Sequence, residues 1–102
     1  MRESTLQRKC LGWVKGARPD LLAVNIHGGG YANKGFPDLL VFGHGRVLAV
    51  ELKADSGYAV QPDQKVWAAR LARVGTPYRV VKGLPEFRAA VEEVFDDEDQ
   101  AG

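Results

Sequence analysis

Two apolar runs, Asp38 to Phe42 and Arg46 to Lys53, are separated only by Gly43-His44-Gly45. Strand-like runs joined by a short glycine-containing link predict a β-hairpin. This hairpin constrains the fold more than any other feature, because it carries charge where a strand is otherwise apolar. Successive side chains on a strand alternate between faces, so Glu51 and Lys53 share one face while Val50 and Leu52 point the other way. The apolar pair needs a core beneath it. The charged pair needs a cleft, a partner or a cation, because isolated buried charge is costly. The hairpin also returns Asp38, at the start of its first strand, to the side of Glu51 near the end of its second.

The rest of the chain supplies what such a hairpin packs against. From Glu3 to about Lys15, Leu6, Cys10, Leu11 and Val14 recur at helical spacing, with Gly16 as a stop signal. Leu21 to Ile26 reads as a short buried strand, and residues 27–37 as a glycine-rich loop. Residues 55–63 form a polar connector. Gln64 to Val74 predicts a helix with Trp67, Leu71 and Val74 on its apolar side, closed by Gly75. Tyr78 to Val81 is a fourth short strand. Leu84 to Phe95 is a last amphipathic helix, with Phe87, Val91, Val94 and Phe95 as its stripe. The order α-β-β-β-α-β-α is that of an α/β domain with a central mixed sheet flanked by helices. The connection from the third strand through the helix to the fourth is expected to be a right-handed parallel crossover. With 102 residues, the chain suits one domain over 1–95, followed by an acidic tail at 96–102 expected to be disordered.

Composition narrows the function classes. One cysteine, Cys10, rules out an internal disulfide, and two histidines beside it argue against a structural zinc site. No apolar run approaches the ~18–20 residues of a membrane span, and the first residues lack a signal-peptide core. A reduced, cytoplasmic setting with no membrane partner is the expectation. Asp96, Asp97, Glu98 and Asp99 hold four of the thirteen acids, which leaves fourteen basic residues against nine acidic ones elsewhere. A basic body with an acidic tail fits a polyanionic partner. Gly28-Gly29-Gly30 lacks the pattern of a phosphate-binding loop, so no nucleotide cofactor is expected.

Two carboxylates and a lysine at one spot suit phosphodiester hydrolysis. Magnesium favours oxygen ligands and retains several waters, so Asp38 and Glu51, with the Leu52 backbone carbonyl, form a sufficient protein set. Such an ion lowers the pKa of bound water and neutralises charge on the phosphate. Lys53 is then placed to orient or deprotonate the attacking water and to steady developing negative charge. The competing reading is a cross-strand salt bridge in which the acids only neutralise Lys53.

Gly35-Phe36-Pro37-Asp38-Leu39-Leu40-Val41, then Val50-Glu51-Leu52-Lys53, then Gln64-Lys65-Val66-Trp67 with Leu71 and Gly75, resemble the virus-type replication-repair nuclease (VRR-NUC) family of the PD-(D/E)XK nuclease superfamily. The likeness runs from Glu3 to about Leu84. It implies a restriction-endonuclease-like fold and a metal-dependent DNA endonuclease, with Mg²⁺ as cofactor and Mn²⁺ as substitute. It matches Asp38 and Glu51 to the metal-binding acids and Lys53 to the catalytic lysine. Gln64 matches the glutamine opening the helix after the catalytic strand, and Glu3 the first-helix acid that reaches toward the metal. For Glu3 the plainer role is to complement the helix dipole. By analogy with Holliday junction resolvases, the resemblance implies a homodimer acting on branched DNA during replication, repair or recombination, in a bacterial or phage-infected host cell.

Around this centre, Asn33 and Lys34 in the loop and Lys65 on the following helix are candidate DNA contacts, with Arg70 and Arg73 beside them on the polar face. His27, His44, Trp13, Trp67 and Tyr58 carry no assigned chemistry. A non-catalytic DNA-binding module on the same fold is the alternative function, and a salt-bridged structural domain without nucleic acid is the third.

Overall fold

The structure, a computed structural model, describes residues 2–26, 33–54 and 60–96. Helix α1 (Glu3–Ala17) is followed by strands β1 (Leu22–Asn25), β2 (Leu39–Gly43) and β3 (Arg46–Leu52), helix α2 (Pro62–Arg73), strand β4 (Tyr78–Val81) and helix α3 (Leu84–Phe95). The element order matches the sequence expectation throughout. The four strands form one sheet in the order β1-β2-β3-β4. β1 and β2 are antiparallel, as are β2 and β3, while β3 and β4 run parallel. The hairpin closes tightly: Gly43 pairs with Arg46, and His44 and Gly45 take positive φ of 54° and 75°. Two successive left-handed residues give the twist that a two-residue hairpin link needs.

One sheet face carries the core. Leu39 and Val41 of β2, Leu48, Val50 and Leu52 of β3, and Val81 of β4 are buried there. They pack against Leu6, Cys10 and Val14 of α1 and Phe87, Ala90, Val91, Val94 and Phe95 of α3. Trp13 meets Phe87 edge-on at 5.9 Å, which joins the two helices. Burial pushes the Cys10 thiol up to about 12, so it behaves as a small apolar core residue.

Four details differ from expectation. The strand predicted at Leu21–Ile26 is only partly buried: β1 lies at the sheet edge, and Leu22 is 62% exposed although Leu21 just before it joins the core. An apolar run does not reveal whether its strand is central or peripheral. α1 passes through Gly16 to Ala17, because one glycine in the last turn costs only about 1 kcal/mol. α2 begins at Pro62 rather than Gln64, since proline suits the first helical turn, where its missing N–H is no loss. Val74, expected on the buried side, caps the C-terminus of α2 and is 73% exposed. His27 to Ala32, 55–59 with Tyr58, and 97–102 lie outside the described residues.

Candidate functional site

The site lies on the sheet face opposite the core, at the end where β2 starts and β3 finishes. The β2–β3 register pairs Leu39 with Val50 and Leu40 with Ala49, so one further step sets Asp38 against Glu51. Both then project from the face of Leu40 and Ala49, away from the core. Pro37 is fully buried just before Asp38 and fixes the entry into β2. Asp38 Oδ2 accepts a hydrogen bond from the Leu52 backbone N–H at 2.8 Å, which holds the carboxylate against the terminus of β3. A strand residue's N–H and C=O point to the same edge, so the Leu52 carbonyl faces Asp38's side. Lys53 N–H turns the other way, to Val81 O at 2.9 Å.

Glu51 is 3% exposed and Lys53 7%. Both are charged residue types that are seldom buried without partners. Gln64, at the start of α2, donates from Nε2 to Glu51 Oε2 at 3.0 Å. The orientation of this amide is settled by its other end, because Oε1 accepts the Gln61 backbone N–H at 2.9 Å. One glutamine therefore caps α2 and anchors the carboxylate. Glu51 Oε1 is buried with no hydrogen-bond partner among the described residues. Burial is the largest influence raising the Glu51 carboxyl, to about 8, followed by the neighbouring charge of Asp38 and a hydrogen bond shared with the Asp38 side chain; Lys53 opposes this and Glu3 adds to it weakly.

Two acids on adjacent strands, one with an orphaned buried oxygen, make a site short of positive charge. That donor set fits a hard divalent cation. Asp38, Glu51, Lys53 and Gln64 are thus gathered. Glu3 lies within electrostatic reach of Glu51, yet among the described residues no three His, Cys, Asp or Glu side chains cluster as a metal site. The candidate DNA contacts flank the centre. Asn33 and Lys34 lie in an exposed turn, and Lys34 pairs with Asp63 of α2 at 3.5 Å. Trp67 Nε1 donates to Lys34 O at 3.1 Å, and its ring packs edge-on against Phe36 at 4.9 Å, which ties that turn to α2. Lys65, Arg70 and Arg73 are exposed on α2, with Arg70 stacked over the Trp67 ring.

Tyr78 is the residue that sequence reasoning passed over. Its hydroxyl is buried without a partner among the described residues, and its phenol is pushed up to about 12 by burial and then by Glu51 and Asp38. A tyrosine opening a strand carries no motif. Only its register, opposite Ala49, shows that it shares the face of Glu51.

No protein-family model and no curated protein sequence matches the chain. Solved structures do. One, described as a VRR_NUC domain protein, has a TM-score of 0.77 at 18% identity, covering 94% of this chain and 89% of its own. Another, described as a VRR_NUC domain, has a TM-score of 0.71 at 24% identity, covering 88% of this chain and 94% of its own. Nearly the whole of each chain is superposed, so the polypeptide has the fold of these VRR_NUC domains.

Proposed function

We propose that this chain is a metal-dependent DNA endonuclease of the VRR-NUC type, with Asp38, Glu51 and Lys53 as its catalytic centre. The observation that carries the reading is the buried Glu51 carboxyl, set against Asp38 and beside Lys53, with one oxygen that has no hydrogen-bond partner among the described residues. A salt-bridged structural domain has no use for a second acid set against the buried one, and a binding module has no use for a buried lysine among acids.

In this reading Asp38, Glu51 and the Leu52 carbonyl hold Mg²⁺, with Mn²⁺ as substitute. The ion supplies an activated water and charge neutralisation at the phosphate. Glu51 is kept in one orientation by Gln64, and Asp38 by the Leu52 N–H. Lys53 presents its ammonium on the face of Glu51, where negative charge accumulates in the transition state. Lys34, Lys65 and Asn33 contact phosphates on either side. Glu3 acts through its field, or through a water, rather than as a direct ligand. Branched DNA is the proposed substrate class.

We also propose a homodimer. Leu22, Phe42 and Val47 form a cross-strand row on the site face, at its far end, and Leu22 and Phe42 are exposed. Exposed apolar side chains in a contiguous row support a second copy as their cover, and size-exclusion light scattering measures it directly.

The functional test is a panel of flaps, replication forks, four-way junctions and plain duplex, with Mg²⁺ or Mn²⁺. Wild type is expected to cut at least one substrate. Lys53→Ala and Asp38→Asn are expected to lose at least ~100-fold in rate while keeping the wild-type circular dichroism. The asparagine retains an acceptor for the Leu52 N–H, so its loss reports chemistry rather than folding. Equal cleavage by all three proteins rejects the assignment.

A further inference from the structure

Among the described residues, two buried side-chain polar atoms have no hydrogen-bond partner: Glu51 Oε1 and the Tyr78 hydroxyl. They are neighbours in the sheet. Tyr78 pairs with Ala49 in the parallel register, two positions before Glu51, so both side chains rise from the same face of adjacent strands. Tyr78 lies within electrostatic reach of Glu51. Buried polar atoms are seldom left unpaired, because nothing replaces the water they gave up. One is a donor and the other an acceptor, and a single water satisfies both.

We propose that Tyr78 is a positioning residue for Glu51: its hydroxyl donates to one ordered water, which donates to Glu51 Oε1. Gln64 already holds Oε2 at 3.0 Å. The carboxylate is then fixed at both oxygens, by α2 on one side and β4 on the other. Partners behind a ligating carboxylate set its orientation, and their loss weakens metal binding by about 10- to 100-fold. This inference rests on the nuclease reading and adds to it a residue outside the motif.

The test is Tyr78→Phe, which removes the hydroxyl and keeps the ring. Mn²⁺ is titrated calorimetrically into the full-length protein without DNA, with wild type and Asp38→Asn in parallel. Wild type is expected to bind, and Y78F about 10-fold more weakly. Its metal-free melting temperature is expected to match wild type, and its cleavage to recover at high Mn²⁺. Equal Mn²⁺ affinity in Y78F and wild type overturns the role of Tyr78 alone. No Mn²⁺ binding by wild type overturns the nuclease reading, and this inference with it. A crystal structure of the wild type gives a second measurement that does not depend on how the variant folds. A water within hydrogen-bond distance of both oxygens supports the proposal, and a Tyr78 hydroxyl bonded elsewhere overturns it.

Discussion

Glu51 occupies a position in which its own charge is unwelcome. Its carboxyl is raised by burial first and by Asp38 second. In the metal-free folded protein it holds its proton to about pH 8, whereas an unfolded glutamate releases it near 4.5. Between those values the folded state binds more protons than the unfolded one, so stability contributed here is full below about pH 4.5 and declines as pH rises toward 8. Glu51→Gln is therefore expected to raise the stability of the metal-free protein at pH 8.5, by on the order of 2 kcal/mol, and to change it little at pH 4.5. Thermal melts in chelator at the two pH values measure the difference. The shared placement of Glu51 and Lys53 was legible from alternation alone, since residues two apart in Val50-Glu51-Leu52-Lys53 fall on one face of a strand. Tyr78 was not legible, because its place depends on a parallel register across a long crossover, and local pattern carries no record of it.

At the level of elements, the turn at 33–37 and α2 form one unit that closes over the site. Gly35 is the joint. Its φ is +87°, and a Cβ added there would lie 2.5 Å from the Asp63 carbonyl carbon. Both the left-handed backbone and the close approach exclude other residues. Gly35→Ala is expected to push the start of α2 outward, and Gln64 with it, away from Glu51. Melting temperature should fall by several degrees, consistent with a cost of about 1–3 kcal/mol, and metal-dependent cleavage should fall further than the stability loss explains. A variant with wild-type melting and wild-type rate overturns this reading of the glycine. The helices illustrate what sequence carries well. α3 was read to the residue, because its apolar stripe Phe87, Val91, Val94 and Phe95 is the face it buries. α2 was read two residues short, because Pro62-Asp63 looks like a loop until Gln61 is seen capping the helix. The edge position of β1 was invisible, since burial of a strand depends on who its neighbours are.

The whole molecule divides its labour between the two sheet faces. α1 and α3 take the core face, and the Asp38–Glu51–Lys53 cluster takes the other. The far end is fastened by a small ionic cluster. Arg18, at the end of α1, donates to both Asp20 and Asp96, and His44 of the hairpin turn contacts Asp20 at 2.7 Å. Arg18 and His44 hold the Asp20 carboxyl well below the usual carboxylate range. Asp96 thus belongs with the folded body through Arg18, while 97–102 lie beyond the described residues. Arg18→Ala is expected to lower the melting temperature at low ionic strength and to do so less in about 1 M salt, with cleavage unchanged because the cluster lies far from Glu51. Equal destabilisation at both ionic strengths would point to lost packing instead.

The two walls of the molecule differ in a way that bears on turnover. α1 and α3 are nailed down by side chains with no solvent exposure, whereas α2, which carries Gln64, buries none of its residues. A segment with so little apolar anchorage opens at low free energy. Amide protons of 62–73 should therefore exchange with deuterium well before those of the other two helices, and divalent cation should slow that exchange. The loosest wall is the one that touches Glu51, so under the proposed function a strand of nucleic acid would enter and leave by a small, local breathing that the rest of the domain does not share.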